Sequence, residues 1–285
     1  GRELFETEPV FRDAVIECDA LFKEHTQEWS LIDELQKDEQ NSLINKTRIA
    51  QPAIFALQVG LNALWASKGI VPDAIAGHSV GEVAACYASG VLSLKDAVAV
   101  SFHRSRLQQT TAGMGKMLAV GLSVEDTEDM LSLYEGKVSI AAVNSPTSIT
   151  IAGESEALED IASVLEEENI FARFLKVEVP YHSPVMDTIL PELKTTLNSL
   201  TPEKGKIPFY STVTGDIFEG EKVDGDYWCN NVRNQVSFKK AIDALDRDGH
   251  NIFIEIGAHP VLAMSIKECL DEKGRRYGVI LPSLR

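Results

Sequence analysis

The sequence is short of the features that mark several functional classes. Its 285 residues include four cysteines, Cys18, Cys86, Cys229 and Cys269, far apart and without metal-ligand spacing. We expect inert or buried thiols in a reducing cytoplasm, and no metal site. No apolar run approaches the roughly 20 residues that cross a bilayer, and no signal peptide precedes the first helical pattern. The expectation is a cytoplasmic protein without a membrane partner. Cations are outnumbered, 27 Lys and Arg against 43 Asp and Glu, for a net charge of −16. Such a chain offers no basic face to phosphates, which argues against nucleic acid as a partner. An anionic small substrate needs only a few local cations and stays open. Neither an internal repeat nor a low-complexity linker interrupts the sequence.

What is present is an ordinary globular composition, 44% hydrophobic and 25% charged. The first clear signal is an amphipathic helix over 9–27, with Val10, Phe11, Ala14, Val15, Cys18, Leu21 and Phe22 as its stripe. A helix over 47–68 is apolar nearly all round, which marks a core helix, and its Gln51 and Gln58 need partners if buried. Ser93 with Asp96 reads as a capping box opening another helix. Between 116 and 179 the pattern is β-α-β-β-α-β, the ferredoxin-like arrangement. Before and after it, strands alternate with helices, as in a largely parallel sheet covered on both faces. The expected fold is therefore α/β, with a large subdomain from 1–113 and 181–285. A ferredoxin-like small subdomain, 114–180, is inserted into it.

One stretch carries chemistry, Gly77-His78-Ser79-Val80-Gly81-Glu82. A short apolar run precedes it and a small-residue helical pattern follows. That is strand, strained turn and helix, the shape of a G-x-S-x-G nucleophile elbow. Both glycines are expected to leave room for the turn, and the helix N-terminus can hold a developing negative charge. A serine nucleophile needs a base, and six histidines are available. His25, His103, His250 and His259 fall on helices or loops with no evident link to the elbow. His182 closes a strand and precedes a helix, where catalytic residues of α/β sheets collect, and is favoured over His78 on that ground.

Several motifs together resemble the malonyl-transacylase family, which includes the acyltransferase domains of modular polyketide and animal-type fatty acid synthases. The elbow matches GHSxGE, and the likeness extends over nearly the whole chain, with an α/β-hydrolase-like core implied for the large subdomain. Asn144-Ser145-Pro146 with Ile149-Thr150-Ile151-Ala152-Gly153 is similar to NSP…VIAG. Tyr227-Trp228-Cys229-Asn230-Asn231-Val232-Arg233-Asn234 is similar to YW..N.R, and Glu255-Ile256-Gly257-Ala258-His259-Pro260 to a late E-x-G-x-H/G-P stretch. The resemblance implies Ser79 and His182 as the catalytic pair and Arg104, 25 residues after Ser79, as the grip on a substrate carboxylate. It also implies the Val80 backbone N–H in the oxyanion hole, and a backbone carbonyl at Asn231 orienting His182. Gln51, His78 and Asn144 become candidate pocket residues.

The implied reaction moves an acyl group from CoA to the phosphopantetheine thiol of an acyl carrier protein, beside a ketosynthase and other synthase domains. No bound cofactor is implied. In the family a G-Q-G-x-Q segment precedes the position of Gly1 and supplies a second oxyanion donor; the present sequence begins after it. Gln235 stands where the family usually has proline. Val80 sides with malonyl-selective relatives. The run Val179-Pro180-Tyr181-His182 matches neither the malonyl nor the methylmalonyl pattern, but Tyr181 is bulky where an α-methyl group would need space. Malonyl is the expected acyl group and methylmalonyl the alternative. An α/β-hydrolase esterase or thioesterase shares G-x-S-x-G, but would leave Arg104 without a purpose. A catalytically silent docking module is the remaining reading.

Overall fold

The computed structural model describes residues 1–38, 40–274 and 278–284. Two helices open the chain, α1 (Arg2–Thr7) and α2 (Pro9–His25). Phe11, Val15, Cys18 and Phe22 of α2 are buried, as their spacing predicts. Helix α3 (Leu31–Gln36) is capped by the Ser30 side chain on the Asp33 N–H. Helix α4 (Thr47–Ser67) follows and buries Ala53, Phe55, Ala56, Val59 and Leu61 against α2 and its neighbours.

By length and mean hydropathy, 21 residues and 1.3, α4 alone among the described helices could span a bilayer. This corrects the expectation that no run comes close. Half of that window is buried inside the protein, and Gln51 and Gln58 bond across to other elements, as a core helix requires.

Strand β1 (Ile75–Ala76) leads through the elbow into α5 (Gly81–Ala88), and α6 (Leu94–Gln109) crosses behind it. Ser93 accepts from the Asp96 N–H at 3.0 Å, the expected cap. Next come β2 (Lys116–Val120), α7 (Val124–Leu131), β3 (Val138–Ser145), β4 (Ser148–Gly153), α8 (Ser155–Glu167) and β5 (Ala172–Phe174). The four strands form one antiparallel sheet in the order β3-β4-β2-β5. Leu118, Ile149, Ile151, Leu158 and Ile161 give it a core of its own. The strand predicted over 171–179 is only three residues long. Its pairing with β2 ends at Leu118↔Phe174, with one further bond from the Leu175 N–H to Met117.

The sequence pattern predicts a helix from near Val185, but α9 (Leu190–Thr196) starts later. Pro191 in its first turn has no N–H to donate, so 184–188 forms a separate 3-10 turn. Strands β6 (Phe209–Ser211) and β7 (Asp216–Ile217), helices α10 (Gly225–Arg233) and α11 (Phe238–Arg247), strand β8 (Ile252–Glu255), helix α12 (Ala263–Glu272) and strand β9 (Val279–Pro282) complete the chain. Tyr277, predicted to open the last strand, lies outside the described residues. The helix expected from Pro260 starts three residues later, because Glu255 accepts the N–H groups of Val261 and Leu262 and holds that turn. The parallel strands fall into two short sheets: β1 beside β6, with β7 antiparallel at its edge, and β8 beside β9. Strand β3 also contacts the segment after α10. Val143 donates to the Val236 carbonyl at 2.9 Å, and Val236 to the Ala141 carbonyl at 2.8 Å.

The elbow shows why the sequence there is what it is. A Cβ on Gly77 would lie 2.3 Å from the Glu82 nitrogen and 2.5 Å from the Gly81 carbonyl carbon, all rigid backbone. Gly81 is different, since its Cβ would meet only the Gln58 amide nitrogen, at 3.8 Å. The expectation that both glycines are sterically required therefore holds for Gly77 and fails for Gly81. We expect Gly77→Ala to lower the melting temperature sharply or prevent folding. Gly81→Ala should leave it unchanged or raise it, by up to about 1 kcal/mol of helix propensity. Thermal melts of both variants check this, and equal destabilisation would refute the asymmetry.

Candidate active site

Ser79 sits on the elbow with φ 52°, a left-handed conformation that costs a non-glycine residue energy. Its Oγ lies 2.7 Å from His182 Nε2. His182, from the loop between β5 and α9, is also left-handed, with φ 58°. Its Nδ1 lies 2.8 Å from the Asn234 carbonyl oxygen. A carbonyl only accepts, so Nδ1 carries the proton, and Nε2 is left as the acceptor for the serine hydroxyl. Burial, then the neighbouring Arg104 cation, lower the His182 pKa to about 3. The resting imidazole is neutral, as a base must be. Among the other histidines, His25 stacks on Phe102, His103 meets that ring edge-on, and His250 lies against Tyr210.

The orienting carbonyl belongs to Asn234 and not to Asn231, which corrects the sequence-based assignment. Asn234 is the C-cap of α10, with ψ 162°, so its carbonyl leaves the helical ladder. Asn231 lies in the last turn of α10 and presents its side chain instead. Its Nδ2 donates to Glu82 Oε2 at 2.7 Å, and its Oδ1 accepts from Arg104 Nε at 3.1 Å.

Arg104 reaches the site from α6 and is 1% exposed. Its Nη1 donates to Gln51 Oε1 at 2.7 Å and Gln108 Oε1 at 3.0 Å, and its Nη2 to Ser79 Oγ at 3.1 Å. None of these partners is charged. Burial lowers its pKa to about 10, which leaves it a cation at neutral pH. Gln51 is thus brought to the site as expected, with its amide nitrogen on Gln108 at 2.8 Å.

His78 and Asn144 meet each other, His78 Nε2 at 2.7 Å from Asn144 Oδ1, which ties the elbow to β3. Burial lowers the pKa of His78. The Tyr181 hydroxyl lies 2.7 Å from Thr47 Oγ1, so the ring beside His182 is pinned to the start of α4. Val80, at the N-cap of α5, has φ −56° and a backbone N–H without an acceptor among the described residues. No cluster of His, Cys, Asp or Glu among the described residues could hold a metal ion.

Sequence reasoning gave no role to Glu82 or Gln108, and both belong to the site. Glu82 is fully buried. Its carboxylate accepts from the Thr212 N–H and hydroxyl, the Tyr227 hydroxyl and Asn231 Nδ2. Burial raises its pKa against these four bonds. The available signal was an acid three residues after the serine, in an otherwise small and apolar helix, where an acid is tolerated only with partners.

Comparisons with known proteins show the family of the chain. The acyl transferase domain family matches residues 1–285. Polyketide synthase GfsB of Streptomyces halstedii is 39% identical over 286 residues; the match takes in all of this chain but 5% of that protein's length. The acyltransferase domain from module 8 of the salinomycin polyketide synthase superposes with a TM-score of 0.95 at 34% identity, covering 99% of this chain and 66% of the other. A loading acyltransferase from the avermectin modular polyketide synthase gives 0.94 at 34% identity, covering 100% and 89%. The shared fold is an α/β-hydrolase-like core with a ferredoxin-like sheet added. A serine on an elbow, a neutral histidine and a buried arginine thus stand on the scaffold of polyketide synthase acyltransferases, and the chain belongs to the acyl transferase domain family.

Proposed function

We propose that the chain transfers a malonyl group from CoA to the phosphopantetheine thiol of an acyl carrier protein, through an ester on Ser79. The observation that carries this reading is Ser79 Oγ, placed between a neutral imidazole at 2.7 Å and a buried guanidinium at 3.1 Å that no carboxylate touches. A plain esterase has no use for that cation, and burying it unpaired is costly. The distal carboxylate of a dicarboxylic acyl group would supply the missing anion, in a bidentate pairing that suits arginine.

The steps follow from the geometry. His182 Nε2 takes the Ser79 proton as Oγ attacks the thioester carbonyl. The oxyanion faces the Val80 N–H at the head of α5. The C–S bond breaks, and the CoA sulfur leaves with the proton from His182. The carrier thiol then gives its proton to His182 and attacks the ester, and Ser79 recovers that proton as it departs. Tyr181, pinned by Thr47, crowds the position of an α-methyl group, which favours malonyl over methylmalonyl. One methyl group gives only about 1–3 kcal/mol of discrimination.

The same reading carries the rest of the assignment. Residues 1–113 and 181–285 form the catalytic subdomain and 114–180 the small one, supported by the separate core of the antiparallel sheet. The chain works in the cytoplasm beside a ketosynthase and other synthase domains, without a bound cofactor, metal, nucleic acid or membrane.

Four outcomes are expected. Intact-mass spectrometry after mixing with malonyl-CoA should show an adduct of about 86 Da, malonyl less water, absent in Ser79→Ala. From an equimolar mixture with methylmalonyl-CoA the malonyl adduct should dominate; the reverse would refute the role of Tyr181. Arg104→Ala should cut malonyl acylation about 100-fold more than acetyl acylation, the scale of a lost charge-assisted pair. Equal losses would remove the carboxylate grip. With acetyl-CoA, acylation should hold its rate well below pH 6.5, because His182 stays neutral down to a pKa of about 3. With malonyl-CoA the acidic limb should lie higher, since the bound carboxylate offsets the Arg104 charge that depresses His182. Coincident limbs in single-turnover pH profiles would overturn that coupling.

A further inference from the structure

Every group that touches Arg104 is neutral, yet a carboxylate is close by. Glu82 reaches toward Arg104 from α5 and stops one residue short. Asn231 stands between them, donating 2.7 Å to Glu82 Oε2 and accepting at 3.1 Å from Arg104 Nε. An amide is suited to this place, since one end is a donor for the anion and the other an acceptor for the cation. The remaining contacts hold each partner from behind. Thr212 and Tyr227 fix the Glu82 carboxylate, and Gln51 and Gln108 fix Nη1 of Arg104.

We infer that Asn231 is a positioning residue that keeps Glu82 one amide away from Arg104, so that the buried cation is balanced while its Nη2, which donates only to the Ser79 hydroxyl, stays free of any acid and available to a substrate carboxylate. The inference rests on the reading of Arg104 as the carboxylate grip. A direct Glu–Arg pair would balance the charge better, but it would compete with the substrate for the same guanidinium. It would also weaken the field that Arg104 exerts on the catalytic histidine. The groups that set this field are few. Arg104 and His78 act on His182; Tyr181 and Glu82 act on Arg104; Tyr227 bonds Glu82, and the buried Cys86 thiol feels its charge.

The test exchanges acid and amide in the double variant Glu82→Gln/Asn231→Asp. Net charge is conserved, and the hydrogen bonds can be rebuilt except one, since Asn231 Nδ2 also donates to the Ser79 carbonyl at 3.3 Å and an aspartate there cannot. At position 82 the amide carbonyl would still accept from Thr212, and the amide nitrogen would donate to the carboxylate now at position 231. Tyr227 would turn its hydroxyl proton to Ser211 Oγ, already 2.7 Å away. The carboxylate is then directly on Arg104.

In a variant whose melting curve shows a folded protein, we expect the malonyl-to-acetyl ratio of kcat/KM to fall about tenfold or more. The acidic limb of acetyl-CoA acylation should rise by about one pH unit or more toward the ordinary histidine value. A folded variant with the wild-type ratio and the wild-type limb overturns the inference, since a purely structural network would give that result. Should the exchange not fold, Asn231→Ala carries the test. Without the spacer Arg104 can turn onto Glu82, and the ratio should fall; an unchanged ratio in the folded variant refutes the spacer. The acetyl limb involves no substrate carboxylate. A raised limb together with equal losses in Arg104→Ala would thus count against the grip alone and leave the spacer standing.

Discussion

The site is organised by one expensive choice, an arginine side chain that is almost wholly inaccessible and has no acid in contact. A buried cation is tolerable only if its N–H groups are satisfied and some compensating charge is near. Four parts of the chain converge to meet that demand: α4 through Gln51, α6 through Gln108, α10 through Asn231 and the elbow through Ser79. Polar residues that look misplaced in apolar helices become intelligible once this is seen. Gln51 faces inward from the long apolar helix α4, and its carbonyl oxygen accepts from Arg104 there. Asn231 is buried because it has a charged group on either side.

A second constraint is strain. Ser79 and His182 both occupy the left-handed region, at roughly 1–3 kcal/mol each, and such conformations persist only where the surroundings determine them. Much of that determination comes from β3 of the antiparallel sheet. Asn144 holds His78, Ser139 Oγ donates to the His182 carbonyl at 3.1 Å, and the backbone bonds at 141 and 143 fix the strand-like segment after Asn234. The orienting carbonyl of His182 lies two residues from that clamp. The antiparallel sheet therefore helps to hold Ser79 and His182 in this arrangement.

The sequence shows clearly whatever is local. The elbow, the core helix, the Ser93 cap and the βαββαβ order all follow from period and punctuation over a few residues. The shortened β5, the break at Pro191 and the late start of α12 are less visible. Each depends on how many hydrogen-bonding partners a distant segment can supply. The same division runs through the site. Ser79, His182 and Arg104 stand in motifs, while the choice between the carbonyls of Asn231 and Asn234 depends on where α10 ends and which way its last residues face. Glu82 stands inside the elbow motif, but its purpose depends on Thr212, Tyr227 and Asn231, which are 130 or more residues away in sequence. Gly81 shows the converse error, a motif glycine credited with a steric duty that the packing does not impose.

Between Arg104 and His182 the structure sets up a tension with a consequence for selectivity. If His182 takes the serine proton as proposed, a histidine oriented by a carbonyl has no anion to stabilise the imidazolium formed. The nearby guanidinium makes that imidazolium less favourable still, so the free protein holds a neutral but weak base. On the proposed reading, a dicarboxylic acyl group changes this when it binds. Its distal carboxylate neutralises Arg104 and displaces the guanidinium from Ser79 Oγ. The hydroxyl then faces a base whose protonated form is no longer opposed by a neighbouring cation. An acyl group without that carboxylate would leave the opposition in place even if it occupied the pocket well. Recognition and base strength are then two effects of one ion pair, and discrimination against simple acyl groups should appear in kcat as well as in KM.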